Sequence, residues 1–111
     1  MQDSGQRKEE ASGALREPDE GRGAYELIGT EGLRRLAVVY EQGAKKYAPR
    51  NWEKGLPWSR CFRSAVRHLF QWLAGAKDED HLAHAVWNLF AIMEYEKSFT
   101  EGCDIPTRTS G

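Results

Sequence analysis

Pro49, Gly55, Pro57 and Gly75 punctuate this chain so that only three stretches with helical periodicity remain between and beyond them. Proline supplies no amide hydrogen and clashes with the preceding turn, and glycine costs a helix more backbone entropy than any other residue. In the first stretch Leu33, Leu36, Ala37, Tyr40, Ala44 and Tyr47 recur at helical spacing, which predicts a helix over 30–47 with Thr30 as N-cap and Pro49 as its stop. The segment 50–58 is then an irregular loop. Ser59 is placed to cap a second helix with Phe62, Ala65, Val66, Leu69 and Leu73 as its buried stripe, and Gly75 ends it. Asp78 is placed to cap a third helix with Glu79 and Asp80 in its first turn. Its core face is expected to be Leu82, Ala85, Val86, Leu89, Ile92 and Met93, and it runs to about Lys97. No period-two alternation competes, so the expected fold is all-α, a small three-helix bundle.

A hydrophobic share of 40% with four Trp, four Tyr and four Phe is enough for one modest core in 111 residues. Residues 1–24 hold no aromatic and are rich in Gly, Ser, Gln, Glu and Arg, and are expected to be a flexible or partner-ordered arm. Residues 25–98 are the expected helical domain and 99–111 a loose tail. A core of about 70 ordered residues is marginal alone, and the surplus of aromatics on helices two and three predicts a homo-oligomer. No apolar run reaches the length of a membrane span and no leader pattern is visible, so a cytoplasmic protein is expected, in the host cytoplasm if a phage encodes it. Cys61 and Cys103 lie far apart in sequence without CxxC spacing and are expected to be reduced thiols.

The net charge of −1 hides a segregation. Between Lys45 and Arg67 seven cations face the single acid Glu53, while between Asp78 and Asp104 seven acids face only Lys97. A long nucleic acid would meet repulsion from the acidic half, so a compact anionic ligand or self-association is favoured. Within the basic half, Lys46, Tyr47, Arg50, Asn51, Trp52 and Lys54 crowd a helix end and the turn after it. Cations neutralise phosphate, an amide reads a base edge or holds a phosphate oxygen, and an aromatic stacks on a base. The alternative is a solvated helix end in which the lysines complement the helix dipole and Trp52 plugs the core. Arg63 and Arg67, one turn apart, either grip a phosphate together or stay solvated.

On the third helix His81, His84 and Asn88 line one face over two turns, and His68 on the second helix is placed to face them. A histidine pair at this spacing can hold a metal, with Asp78 or Asp80 at the same end as a further ligand (the candidate metal set being His81, His84 and Asp80), and Mn or Mg is the ion to consider. Histidines in helical proteins also bridge helices without metal, and His68 or His84 can act as a general base. Asn88 either completes a buried network or reads a ligand. No phosphate loop, nucleophile elbow or HExxH zinc motif is present.

These pieces, taken as Gly43-Ala44-Lys45-Lys46-Tyr47, Arg50-Asn51-Trp52-Glu53-Lys54-Gly55, Arg67-His68-Leu69 and His81-Leu82-Ala83-His84-Ala85-Val86-Trp87-Asn88, resemble a family of phage and bacterial dATP/dGTP diphosphohydrolase-like proteins. That family looks related to the all-α nucleotide pyrophosphohydrolases of MazG type. The resemblance covers about 18–96 and implies an oligomeric helical domain that binds a nucleoside triphosphate and releases a monophosphate and pyrophosphate. MazG-type enzymes hold their metals with ExxE and ExxD on successive helices; here Arg67 and His68, and then His81 and His84, stand at about those places. Two functions follow as expectations: a (d)NTP pyrophosphohydrolase with His68 and His84 as catalytic residues, or a protein that sequesters a nucleotide or nucleotide-derived immune signal without cutting it.

Overall fold

The computed structural model describes residues 8–9, 11–16 and 20–108, and three helices carry it. They are α1 (Thr30–Lys46), α2 (Trp58–Leu73) and α3 (His81–Ser98). The fold is all-α apart from one antiparallel ribbon of two residues per strand, β1 (Lys8–Glu9) against β2 (Leu15–Arg16). The remainder of the expected N-terminal arm, at 1–7, 10 and 17–19, lies outside the described residues, as do 109–111 of the tail. Among the described residues no helix is long and apolar enough to cross a membrane.

The helix bounds match the punctuation, but the caps shift. Gly29, not Thr30, is the N-cap of α1, and α2 begins at Trp58 behind Pro57, whose fixed φ suits a helix entry. Asp80 caps α3 by accepting a hydrogen bond from the Ala83 amide at 3.1 Å. Asp78 is unavailable for that role because its carboxylate takes the His81 ring at 2.8 Å. Gly75, at φ +86°, ends α2 in the left-handed conformation that closes a helix at low steric cost.

α3 is the central helix. α2 packs along it antiparallel, with Trp58 against Phe99, Ser64 against Asn88 and His68 against His81. α1 packs along it in the parallel sense, with Arg35 against Asp80 and Tyr40 against Trp87, and touches α2 little. The core cluster of Trp58, Cys61, Ala91 and Tyr95 lies where α2 begins and α3 ends, covered by Trp52, Trp87, Ile92, Phe99, Cys103 and Ile105. Tyr95 is 1% exposed and donates its hydroxyl to the Trp52 carbonyl at 2.6 Å. Burial pushes that phenol up to about 12, so it remains a donor. Both cysteines are free thiols.

The buried stripes differ from those expected. α2 buries Trp58, Cys61, Ala65 and His68, and α3 buries His81, Ala83, Ala85, Asn88, Ala91 and Tyr95. Phe62, Leu69, Leu73, Val86, Leu89 and Met93, expected inside, are exposed, as are Leu33 on α1 and Tyr47 at its C-cap; α1 buries Leu36 and Val39. Two physical reasons select the observed faces. Cysteine and alanines let the α2 and α3 backbones approach closely, and His68, His81 and Asn88 find hydrogen-bond partners only on the inner face. The segment 99–108 is not a loose tail either. Phe99, Cys103 and Ile105 cover the core cluster, and the Asp104 carboxylate accepts from the Ser59 amide at 2.9 Å and from its hydroxyl, tying the chain end to the first turn of α2.

Candidate functional site

Three histidines from two helices meet at the end of the molecule where α3 begins. The His68 and His84 rings stack with centroids 5.0 Å apart and planes 20° apart, and His81 lies 5.1 Å from His68. The Glu79 carboxylate stands among them, its Oε1 3.5 Å from His68 Nδ1, 3.9 Å from His81 Nδ1 and 3.9 Å from His84 Nε2. One ligand atom from each of His68, Glu79 and His84 falls within a 4.8 Å group, compact enough to surround a metal ion. Periodicity marks both histidines, but Glu79 precedes α3 and escapes any helical-face argument. Its only sequence signal is the acidic run Asp78-Glu79-Asp80 immediately before His81.

Hydrogen bonding orders the protons in this cluster. The Asp78 carboxyl is held below its usual range, chiefly by the hydrogen bond from His81, so it accepts only. His81 Nε2 donates to it at 2.8 Å, and His81 Nδ1 lies 2.9 Å from His68 Nδ1. When both rings are neutral, His81 Nδ1 is bare and takes the proton on His68 Nδ1. His68 Nε2 is then left with its lone pair free to accept a proton or bind a metal. Burial, and then the neighbouring His84, lower the His68 pKa and favour this neutral form. The sequence Asp78, His81, His68 therefore has the logic of a base oriented by a second ring that a carboxylate orients in turn.

Of the other expected site residues, Asn88 and Arg67 come close to this cluster. Asn88 Nδ2 donates to the His84 carbonyl at 2.8 Å and to Ser64 Oγ at 3.2 Å, and Arg67 folds back along α2 toward the same hydroxyl at 3.4 Å. Asn88 is thus part of a buried network that spaces α2 from α3. Asp80 turns instead to Arg35, in a two-pronged pair at 2.7 and 2.8 Å, which holds its carboxyl down at about 2. Arg63 is exposed on α2.

The cationic loop lies elsewhere. Trp52 is half-buried between Tyr40 and Tyr95, at centroid distances of 6.4 and 6.5 Å, whereas the histidines sit at the opposite end of α3. His84 and Tyr95 are eleven residues apart on that helix, about 16 Å at 1.5 Å per residue. Lys46, Tyr47 and Lys54 are exposed at the loop, with Lys46 Nζ 5.3 Å from the Tyr47 ring centre, and Asn51 is half-buried in the turn Asn51–Lys54. Arg50 pairs with Glu53 at 2.8 Å and holds φ +61°, a left-handed conformation unusual for a side chain of this size.

Fold and site together define a small all-α domain with a histidine–carboxylate centre at one end of a helix hairpin. The family model described as dATP/dGTP diphosphohydrolase, N-terminal, matches residues 12–104, and the chain belongs to that family. No curated protein and no solved structure matches it.

Proposed function

We propose that this chain is a nucleotide hydrolase that acts on a (d)NTP, with the deoxypurine nucleotides of the family description as first candidates, and releases a monophosphate and pyrophosphate. The observation that carries the reading is the convergence of His68, Glu79 and His84 within 4.8 Å. Imidazole and carboxylate together, here His84 and Glu79, suit Mn2+ or another transition ion better than Mg2+, which prefers an all-oxygen shell. Such an ion, when bound, neutralises phosphate charge and polarises a phosphoryl oxygen.

The chain's own residues supply the rest. Arg67, beside His68 and exposed, is placed to neutralise phosphate oxygens. Water attacks the α-phosphorus as the bond to the bridging oxygen breaks, and pyrophosphate leaves with the bond's electron pair. With the ion held by Glu79 and His84, His68 Nε2 stays bare and takes the water proton, with His81 and Asp78 holding the ring in the required tautomer. The cations Lys46, Arg50 and Lys54 are too far from the histidines to share one phosphate with them, and their proposed role is contact with the far end of an extended ligand.

The test pairs titration calorimetry with Mn2+ and a mass-spectrometric assay over the (d)NTPs. Binding of one Mn2+, abolished by Glu79→Ala and His84→Ala, together with monophosphate and pyrophosphate from dATP or dGTP, is the expected result. Absence of Mn2+ binding in the intact chain would overturn the metal assignment. Tight binding of intact nucleotide with no cleavage, with Mn2+ present, would replace hydrolysis by sequestration.

A further inference from the structure

One strip of α3 faces the gap between α1 and α2. α1 meets α3 at Asp80 and Trp87, and α2 meets it at His81 and Asn88. At 3.6 residues per turn His84 and Ala91 each project between Trp87 and Asn88, about 40° from one and about 60° from the other. His84 opens one end of the strip, its side chain 29% exposed, and the core cluster seals Ala91 at the other. Trp87 lies across the middle, packed on that cluster on one side and 6.0 Å from the Tyr40 ring of α1 on the other. The polar atoms of these rings set them apart from the other core aromatics. A buried Trp or Tyr usually pairs its N–H or O–H, and Trp58 and Tyr95 do so with the Phe99 and Trp52 carbonyls. Among the described residues the Tyr40 hydroxyl and the indole N–H groups of Trp52 and Trp87 have no partner, although all three side chains are half-buried, and none of these atoms is sealed from solvent.

We infer that this strip receives the base of the nucleotide and selects guanine over adenine, a reading that rests on the proposed hydrolase site for the position of the phosphates. With the phosphates at the histidines, Trp87 lies three residues beyond His84, about 4.5 Å along the helix axis, a span that one sugar bridges. The base stacks on Trp87, and because the Trp87 and Tyr40 planes are tilted by 51° its edge turns toward the Tyr40 hydroxyl. Burial, and then Glu94, raise the Tyr40 pKa, so the hydroxyl serves as a donor. The unpaired polar atoms of these three rings are all donors. Guanine offers O6 and N7 side by side as acceptors, whereas adenine sets its N6 amine beside N7 and would face a donor with a donor. A pyrimidine brings a smaller ring to the stack.

Titration calorimetry of the full chain with Mn2+ tests this, using the non-cleavable α,β-imido analogues of dGTP, dATP and dTTP and inorganic tripolyphosphate as probes. The dGTP analogue is expected to bind about tenfold tighter than the dATP analogue, and tighter still than the dTTP analogue or tripolyphosphate. Tyr40→Phe keeps the ring and should bring the dGTP and dATP analogues to near-equality, and Trp87→Leu should weaken both about tenfold. Neither substitution should move the affinity for tripolyphosphate. Equal binding of the dGTP and dTTP analogues by the wild type, or a guanine preference that survives Tyr40→Phe, overturns the inference. Should Trp87→Leu fail to fold, tryptophan fluorescence of the wild type decides: the dGTP analogue quenches it and tripolyphosphate does not, and equal effects overturn the inference. Its failure is separable from that of the hydrolase. A chain that cuts every (d)NTP at one rate keeps the hydrolase and loses the base subsite, whereas one that binds the dGTP analogue through Tyr40 and leaves dGTP intact does the reverse.

Discussion

His68 combines burial with a hydrogen bond that commits its Nδ1, and this makes it the residue through which pH reaches the fold. Its pKa lies below the ordinary 6.5, so the unfolded chain accepts a proton at a pH where the folded ring still refuses it. Stability is therefore full above pH 6.5, falls as pH drops below it, and levels only once the folded ring protonates too. Urea midpoints at pH 7.5 and 5.5 should show this loss, and His68→Gln should shrink the difference. Gly55 is constrained by geometry instead of charge. It holds φ +96°, and a Cβ there would lie 2.8 Å from the Phe99 ring. Gly55→Ala should cost about 1–3 kcal/mol in denaturant unfolding. A change near zero would show that Phe99 can swing away from the Asn51–Lys54 turn.

The start of α3 is held by one side chain serving two partners. Asp80 caps the helix and pairs with Arg35 of α1, and its carboxyl, lowered to about 2 from 3.8, contributes stability that is complete above pH 3.8 and lost as pH falls through about 2. Because both side chains of the pair are about a third exposed or more, solvent screening limits the electrostatic share to about 1 kcal/mol. Asp80→Ala should cost about 1–2 kcal/mol, cap and pair together, while Asp80→Asn should keep the cap and lose the smaller part. Equal losses in the two variants, measured by thermal unfolding at pH 7, would mean that the ion pair outweighs the cap. At this scale the sequence was readable in its lengths and breaks: Pro49, Pro57 and Gly75 mark helix ends through local sterics, whereas Gly32 and Gly43 are carried inside α1. It was not readable in its faces. Each of α2 and α3 carries two stripes with the same period, one of large apolar residues and one of small and polar residues, and periodicity cannot rank them. Burial of His68, His81 and Asn88 depends on partners from the facing helix, and the register between helices is not written in either one alone. The same limit hid Glu79, whose place among the histidines is set by the turn 74–80.

Across the whole molecule, the sequence grouped residues that the fold separates. His68, His81, His84, Asn88 and Arg67 gather at one end of α3, whereas Lys46, Arg50, Trp52 and Lys54 gather at the other. Sequence proximity placed Trp52 among the ligand contacts, but the tertiary structure uses its ring in an aromatic chain with Tyr40 and Tyr95. The central position of α3 has a consequence for how the molecule forms. Its contacts with α2 close a loop of only a few residues, so the hairpin is the low-contact-order unit that chain entropy allows to assemble first. α1 docks across a longer separation through Arg35, Tyr40 and a few apolar contacts, and should be the last element to join and the first to leave. Native-state hydrogen exchange should then show α1 amides opening at lower free energy than the mid-helix amides of α2 and α3. Once α1 lifts, the side of the hairpin that bears the histidines loses its neighbouring helix while the hairpin itself persists, so binding at that end is energetically coupled to the least stable foldon of the protein.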